Sequence, residues 1–95
     1  MFVVVLTYTA DLEIIDSLIP EHTAWLDANY AAGVFLASGR RVPRTGGVIV
    51  VDIETRAQLD EILRQDPFGL AGAATYEVIE FVPTKTAPAL AYLTA

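Results

Sequence analysis

Phe2-Val3-Val4-Val5-Leu6-Thr7-Tyr8 decides the fold. The run is β-branched and aromatic without a break and stops at Thr9-Ala10-Asp11, so it reads as a strand. Successive strand residues point to opposite faces, and here both faces are apolar. Val48-Ile49-Val50-Val51 repeats the pattern. Such strands belong inside a sheet with both sides covered.

Outward from the first strand, Asp11 stands where an N-cap is needed for a helical turn beginning at Leu12, and Glu13 suits the dipole of its first turn. Pro20 lacks an amide donor and pushes Ile19 away from helical angles, so a break is expected there. The main helix then starts at Pro20 and runs to about Ala32. His22, Trp25, Leu26, Asn29 and Tyr30 share one face of it, and Gly33 ends it. Val34 to Ser38 reads as the second strand, closing at Gly39, and Gly47 to Asp52 as the third, with the Arg- and Gly-rich loop from Arg40 between them. Thr55 and Gln58 form a capping box that opens a second helix buried through Leu59, Ile62 and Leu63. Asp66-Pro67 stops that helix. Tyr76 to Val82 is the fourth strand, leaving a tail with an apolar patch, Ala89-Leu90-Ala91-Tyr92-Leu93.

The order β-α-β-β-α-β is that of a ferredoxin-like α+β fold, a four-stranded antiparallel sheet with two helices on one face. The helices leave the other face open, and that face should alternate with polar residues. It does not. At roughly 25 cal/mol per Å² of apolar area, leaving it wet would forfeit many kcal/mol and expose an aggregation-prone patch. A second copy of the chain, packed sheet to sheet about a two-fold axis, is the expected cover.

Composition narrows the functional classes. The 95 residues suit one domain, and 54% of them are hydrophobic. Mean hydropathy is +0.46. No apolar run approaches the roughly 20 residues of a membrane span, and the basic start of a signal peptide is missing, so a cytoplasmic protein is expected. A net charge of −6 argues against nucleic acid. One histidine and no cysteine cannot supply a structural zinc site, and no glycine-rich loop has nucleotide-binding spacing, so no cofactor is expected.

The lone histidine, His22, is the centre of the functional reading. Imidazole is the side chain whose ordinary titration range lies nearest neutrality. Asp66, at the end of the second helix, is the carboxylate available to orient it. In one reading Asp66 accepts from one ring nitrogen, fixes the tautomer and leaves the other nitrogen to move a substrate proton. In the other, His22 is a core residue satisfied by a backbone carbonyl and Asp66 only shapes the Asp-Pro turn. Arg40, Arg41 and Arg44 are half of the six basic residues. One of them, Arg40, suits an anionic substrate, since a guanidinium grips a carboxylate with two parallel bonds, while the others read as a solvated loop. Ser38 and Tyr8 lie at strand ends, where their hydroxyls either face a cleft or satisfy local structure. Trp25 and Phe68 read first as packing, the alternative being a stacking platform, with Phe68 taken as a substrate-binding candidate. Glu80 reads as a strand-end charge or as a second acid at a dimer cleft.

The helical His22 followed by Trp25-Leu26, Gly33 before strand two, Ser38-Gly39 closing it and Asp66-Pro67-Phe68 after helix two together resemble the YciI-like (YCII-related) family of dimeric α+β barrel proteins. The resemblance spans residues 1–82 and leaves 83–95 as a tail that would pack on a neighbouring subunit. It implies a homodimer, extendable to a higher oligomer, with a His22–Asp66 pair in its cleft. The family includes cofactor-free dehydrochlorinases and muconolactone-isomerase-like enzymes. The chain has Arg40 and Arg41 where the family often has a proline. The expectation is a cofactor-independent isomerase or lyase for a small carboxylated or phenolic metabolite. A non-catalytic ligand-binding or oligomeric module is the alternative, with haem ligation by His22 a distant third.

Overall fold

The computed structural model describes residues 1–94, so Ala95, the last residue of the expected tail, lies outside the described residues. Its elements are β1 (Phe2–Tyr8), α1 (Leu12–Ala31), β2 (Phe35–Arg40), β3 (Gly46–Val51), α2 (Arg56–Leu63), α3 (Pro67–Leu70) and β4 (Ala74–Glu80), followed by a 3-10 helical stretch, Pro88–Thr94. The strands form one sheet in the order β2-β3-β1-β4, with every neighbouring pair antiparallel. This is the ferredoxin-like α+β arrangement expected from the strand and helix order.

Register explains what each face does. Val4 pairs with Ile49 and Val78, and Leu6 with Gly47 and Tyr76, so these residues share a face with Phe2 and Val51. Phe2, Val4, Leu6, Ile49 and Val51 are buried there, in one core with Ile15 and Trp25 of α1, Leu59 and Leu63 of α2 and Phe68 of α3. All three helices therefore lie on the same side. On the other side Val3 stands between Val50 and Ile79, and Val50 is opposite Ala37 of β2, so an apolar band crosses all four strands. Val3, Val5, Val48 and Val50 are half-buried and Ile79 is 49% exposed.

The break expected at Pro20 does not occur. α1 runs as a single helix of 20 residues with Pro20 inside it. The ring forfeits the hydrogen bond to the carbonyl four residues back, a cost of about 3 kcal/mol. Burial on both sides of it offsets that cost. Ile15 (fully buried), half-buried Leu18 and His22, and buried Trp25 form one stripe at helical spacing, and the Trp25 indole donates to the Ile62 carbonyl at 3.1 Å. Asp11 occupies the N-cap without a side-chain capping bond. At the other end Gly33 takes a left-handed φ of 75°, which an L side chain resists. The Thr55–Gln58 capping box forms with both of its bonds. The third strand lies within one residue of its expected bounds, the second starts one residue later and ends two residues later than expected, and β4 begins and ends two residues earlier.

Asp66 does not simply end the second helix. Three residues beyond α2 it caps a further short helix, accepting from the Phe68 amide at 3.1 Å, with Pro67 in the first turn. The proline has no amide to satisfy there and its ring angle suits a helix start.

Candidate functional site

α1 carries His22 over the helix-covered face of the sheet, and the Asp66 cap brings the carboxylate to meet it. Nδ1 of His22 lies 2.7 Å from Oδ1 of Asp66, with the carboxylate fully buried and the imidazole 12% exposed. Oδ1 also accepts from the Phe68 amide, and Oδ2 accepts from the Tyr76 hydroxyl at 2.5 Å. A carboxylate with these partners only accepts, so Nδ1 carries the ring proton. The ring is clamped from the side as well. It stacks on Phe68 with centroids 3.9 Å apart at 14°, and Trp25 stands 5.5 Å away. Among the described residues every fully buried side-chain nitrogen and oxygen is paired, and Nε2 has no protein partner. It therefore keeps exposed surface, and His22 lines a cavity.

That cavity, about 200 Å³, lies between α1 and the ends of β1, β2 and β3. Leu6, Ile19, Leu26 and Ile49 make it apolar, Tyr8 and Phe68 add aromatic walls, and Ser38 and Arg40 bring polar groups. The His22–Asp66 pair thus sits on the helix side of the sheet. The expectation of a pair in the cleft between two facing sheets is corrected accordingly. The helix stripe that carries His22 is the same stripe that buries Ile15 and Trp25, so the imidazole must face the near side of the sheet.

The expected substrate-binding residues, Tyr8, Ser38, Arg40 and Phe68, all line this cavity. The Ser38 hydroxyl is 2.6 Å from that of Tyr30, and Tyr8 meets Phe68 edge-on at 5.8 Å. Arg40 makes no ion pair among the described residues. Arg41 reaches the Thr7 hydroxyl at 3.3 Å, and Arg44 pairs with Asp16 at 2.5 Å on the surface. The bond to Asp16 raises the Arg44 guanidinium above its ordinary value, with a smaller contribution from Tyr8. Glu80 is exposed and stands opposite Phe2, on the helix-covered face, so it is no acid on the open face.

Tyr76 is the residue that sequence reasoning missed. Burial, and then the bond to Asp66, push its phenol far above the ordinary value, which keeps the hydroxyl protonated and donating. In the sequence it reads only as the first residue of the expected fourth strand. Ten residues separate it from Asp66, and only the return of β4 alongside β1 brings them together.

Fold and site together describe a ferredoxin-like domain with an oriented imidazole at a small cavity. The family model of the YCII-related domain matches residues 1–82, and the chain belongs to that family. Among solved structures it is similar to 5-chloro-2-hydroxyhydroquinone dehydrochlorinase (TftG) from Burkholderia phenoliruptrix AC1100, in complex with 2,5-dihydroxybenzoquinone. The TM-score is 0.72 at 17% identity, covering 85% of this chain and 93% of that one, which establishes a shared fold. No curated protein matches the chain.

Proposed function

We propose that this chain is a cofactor-independent acid–base enzyme, an isomerase or a lyase of dehydrochlorinase type, acting on a small carboxylated or phenolic metabolite. The observation that carries this is the 2.7 Å contact of Nδ1 with Asp66, which leaves Nε2 as an unpaired base at the cavity. Nε2 takes a proton from a substrate C–H or O–H. The bonding pair left behind becomes a new π bond. In elimination the leaving group departs with its own bonding pair, and in isomerisation the imidazolium returns the proton to another carbon. Asp66 holds the ring and balances its transient charge. Arg40 and the Ser38 hydroxyl face developing negative charge on the substrate. Aromatic Tyr8 and Phe68 suit a flat ring. The similar dehydrochlorinase, solved with a dihydroxybenzoquinone, supports a ligand of this size and class.

In this reading a second copy covers the Val3, Val50 and Ile79 band, making a homodimer through the face opposite the site. Residues 1–82 are the working domain, and the tail from 83 lies against the neighbouring subunit, with Leu90 and Tyr92 exposed on this chain.

The test is a panel of 2,5-dihydroxybenzoquinone and small aromatic and lactone acids, assayed for binding and turnover with the native chain and with His22→Ala. The native chain is expected to bind and turn over at least one member, and the variant to lose turnover with its fold intact. Equal turnover in both proteins rejects the role given to His22.

A further inference from the structure

The hydrogen-bond chain does not end at Asp66. Its Oδ2 is held by Tyr76 from β4, on the side of the carboxylate away from His22. The phenol fits there because of Gly69 in α3. A methyl group at that position would lie 2.8 Å from the Tyr76 hydroxyl oxygen and 3.2 Å from Cε2 of its ring. The backbone at Gly69 has no positive φ, so an alanine there meets no conformational penalty. The missing side chain is required by the approach of the phenol alone.

We infer that Tyr76 is a positioning residue for the acid–base pair: with Gly69 giving it room, its hydroxyl locks the Asp66 carboxylate so that His22 is held as the Nδ1–H tautomer with Nε2 free. Three donors, the Phe68 amide, the His22 ring and the Tyr76 hydroxyl, hold the two carboxylate oxygens in one orientation. Two are fixed by α1 and by the backbone of α3. The third is the only one that reaches Oδ2, and without it the carboxylate is free to turn about its own bond. Turning takes Oδ1 off the axis of the imidazole. Tyr76 also lines a second, shallower cleft with Leu63, Gly69 and Leu70, so it closes the carboxylate from behind while His22 covers it in front. The inference rests on the proposed role of the His22–Asp66 pair, but its geometry is open to measurement without a substrate.

The experiment is ¹H–¹⁵N NMR of the His22 ring in the native chain and in Tyr76→Phe, Gly69→Ala and the double variant, with Asp66→Asn as reference. The native chain should give a downfield, slowly exchanging Nδ1 proton and the ¹⁵N pattern of a single tautomer. Tyr76→Phe should keep a dispersed amide spectrum while its Nδ1 proton exchanges at least tenfold faster and a second tautomer appears. Gly69→Ala should do the same by displacing the phenol. The double variant should differ little from Tyr76→Phe, because the closest contact of the new methyl, the oxygen at 2.8 Å, is gone and only the ring carbon at 3.2 Å remains to give way. A folded Tyr76→Phe with native Nδ1 exchange and a single tautomer overturns the inference. If the variants do not fold, the native chain decides: a resolved, protected Tyr76 hydroxyl proton supports the lock, and a hydroxyl in free exchange with water overturns it. A native spectrum as described, with no turnover on the compound panel, upholds the lock while rejecting the enzymatic reading.

Discussion

The two faces of the sheet are alike in sequence and opposite in what they do. The face carrying Phe2, Val4, Leu6, Ile49 and Val51 lies under three helices and is dry, yet it holds the polar cluster of Asp66, His22 and Tyr76. The face carrying Val3, Val5, Val48, Val50 and Ile79 is apolar in that stretch except for Glu77 beside Val5, yet it is the one open to water in a single chain. The proposed chemistry sits where the helices bring buried donors to a carboxylate. In the proposed homodimer, association is left to the other side, whose central band is apolar and whose polar groups, Glu77 and Thr75, lie toward one end. A buried carboxylate is tolerated on the first face only because both of its oxygens have donors. A grease patch persists on the second only if something covers it.

Changes on either face break or sharpen that contrast. The largest effect is expected from His22→Ala, which should reduce turnover by about 10²- to 10⁴-fold, the usual worth of a positioned base, with the circular dichroism spectrum unchanged. Next is Asp66→Ala, which leaves the buried Phe68 amide and the half-buried Tyr76 hydroxyl and His22 ring without their acceptor. Urea unfolding should show a loss of about 3 kcal/mol or more, since each buried unpaired donor costs roughly 1–3 kcal/mol. On the other face, Val50→Glu should convert a dimer to monomer in sedimentation velocity while leaving turnover per chain within twofold. A fall in turnover that tracks dissociation would show instead that the second subunit completes the site.

Two smaller effects follow. The Tyr76 phenol is held protonated in the fold, whereas an unfolded chain ionises it near pH 10. Its contribution is therefore whole below that pH and lost as pH rises beyond it, because the unfolded state alone then releases the proton. Urea melts between pH 9 and about 11 should fall more steeply for the native chain than for Tyr76→Phe. Arg44→Ala removes an exposed ion pair with Asp16 and should leave the unfolding midpoint unmoved, even at low salt.

Much of this was legible in the residues. The alternation of β-branched and aromatic runs placed every strand to within two residues, and the Thr55–Gln58 box and Gly33 placed helix ends, because each is a local preference written in neighbouring side chains. The pairing of His22 with Asp66, and the cavity position of Tyr8, Ser38, Arg40 and Phe68, came from residue chemistry joined to a family likeness. Pro20 was misread because a local penalty was set against a packing gain that no neighbouring residue reveals.

What the chain determined by itself was the set of elements, the surplus of apolar surface and the single imidazole near a carboxylate. Which side of the sheet receives that imidazole, and that a tyrosine from the last strand closes over the carboxylate beside a glycine with no side chain to resist it, were decided by tertiary structure alone. The reason is that strand register and helix rotation are collective quantities. They depend on how distant segments pack, and a face is defined only once the sheet has a covered side.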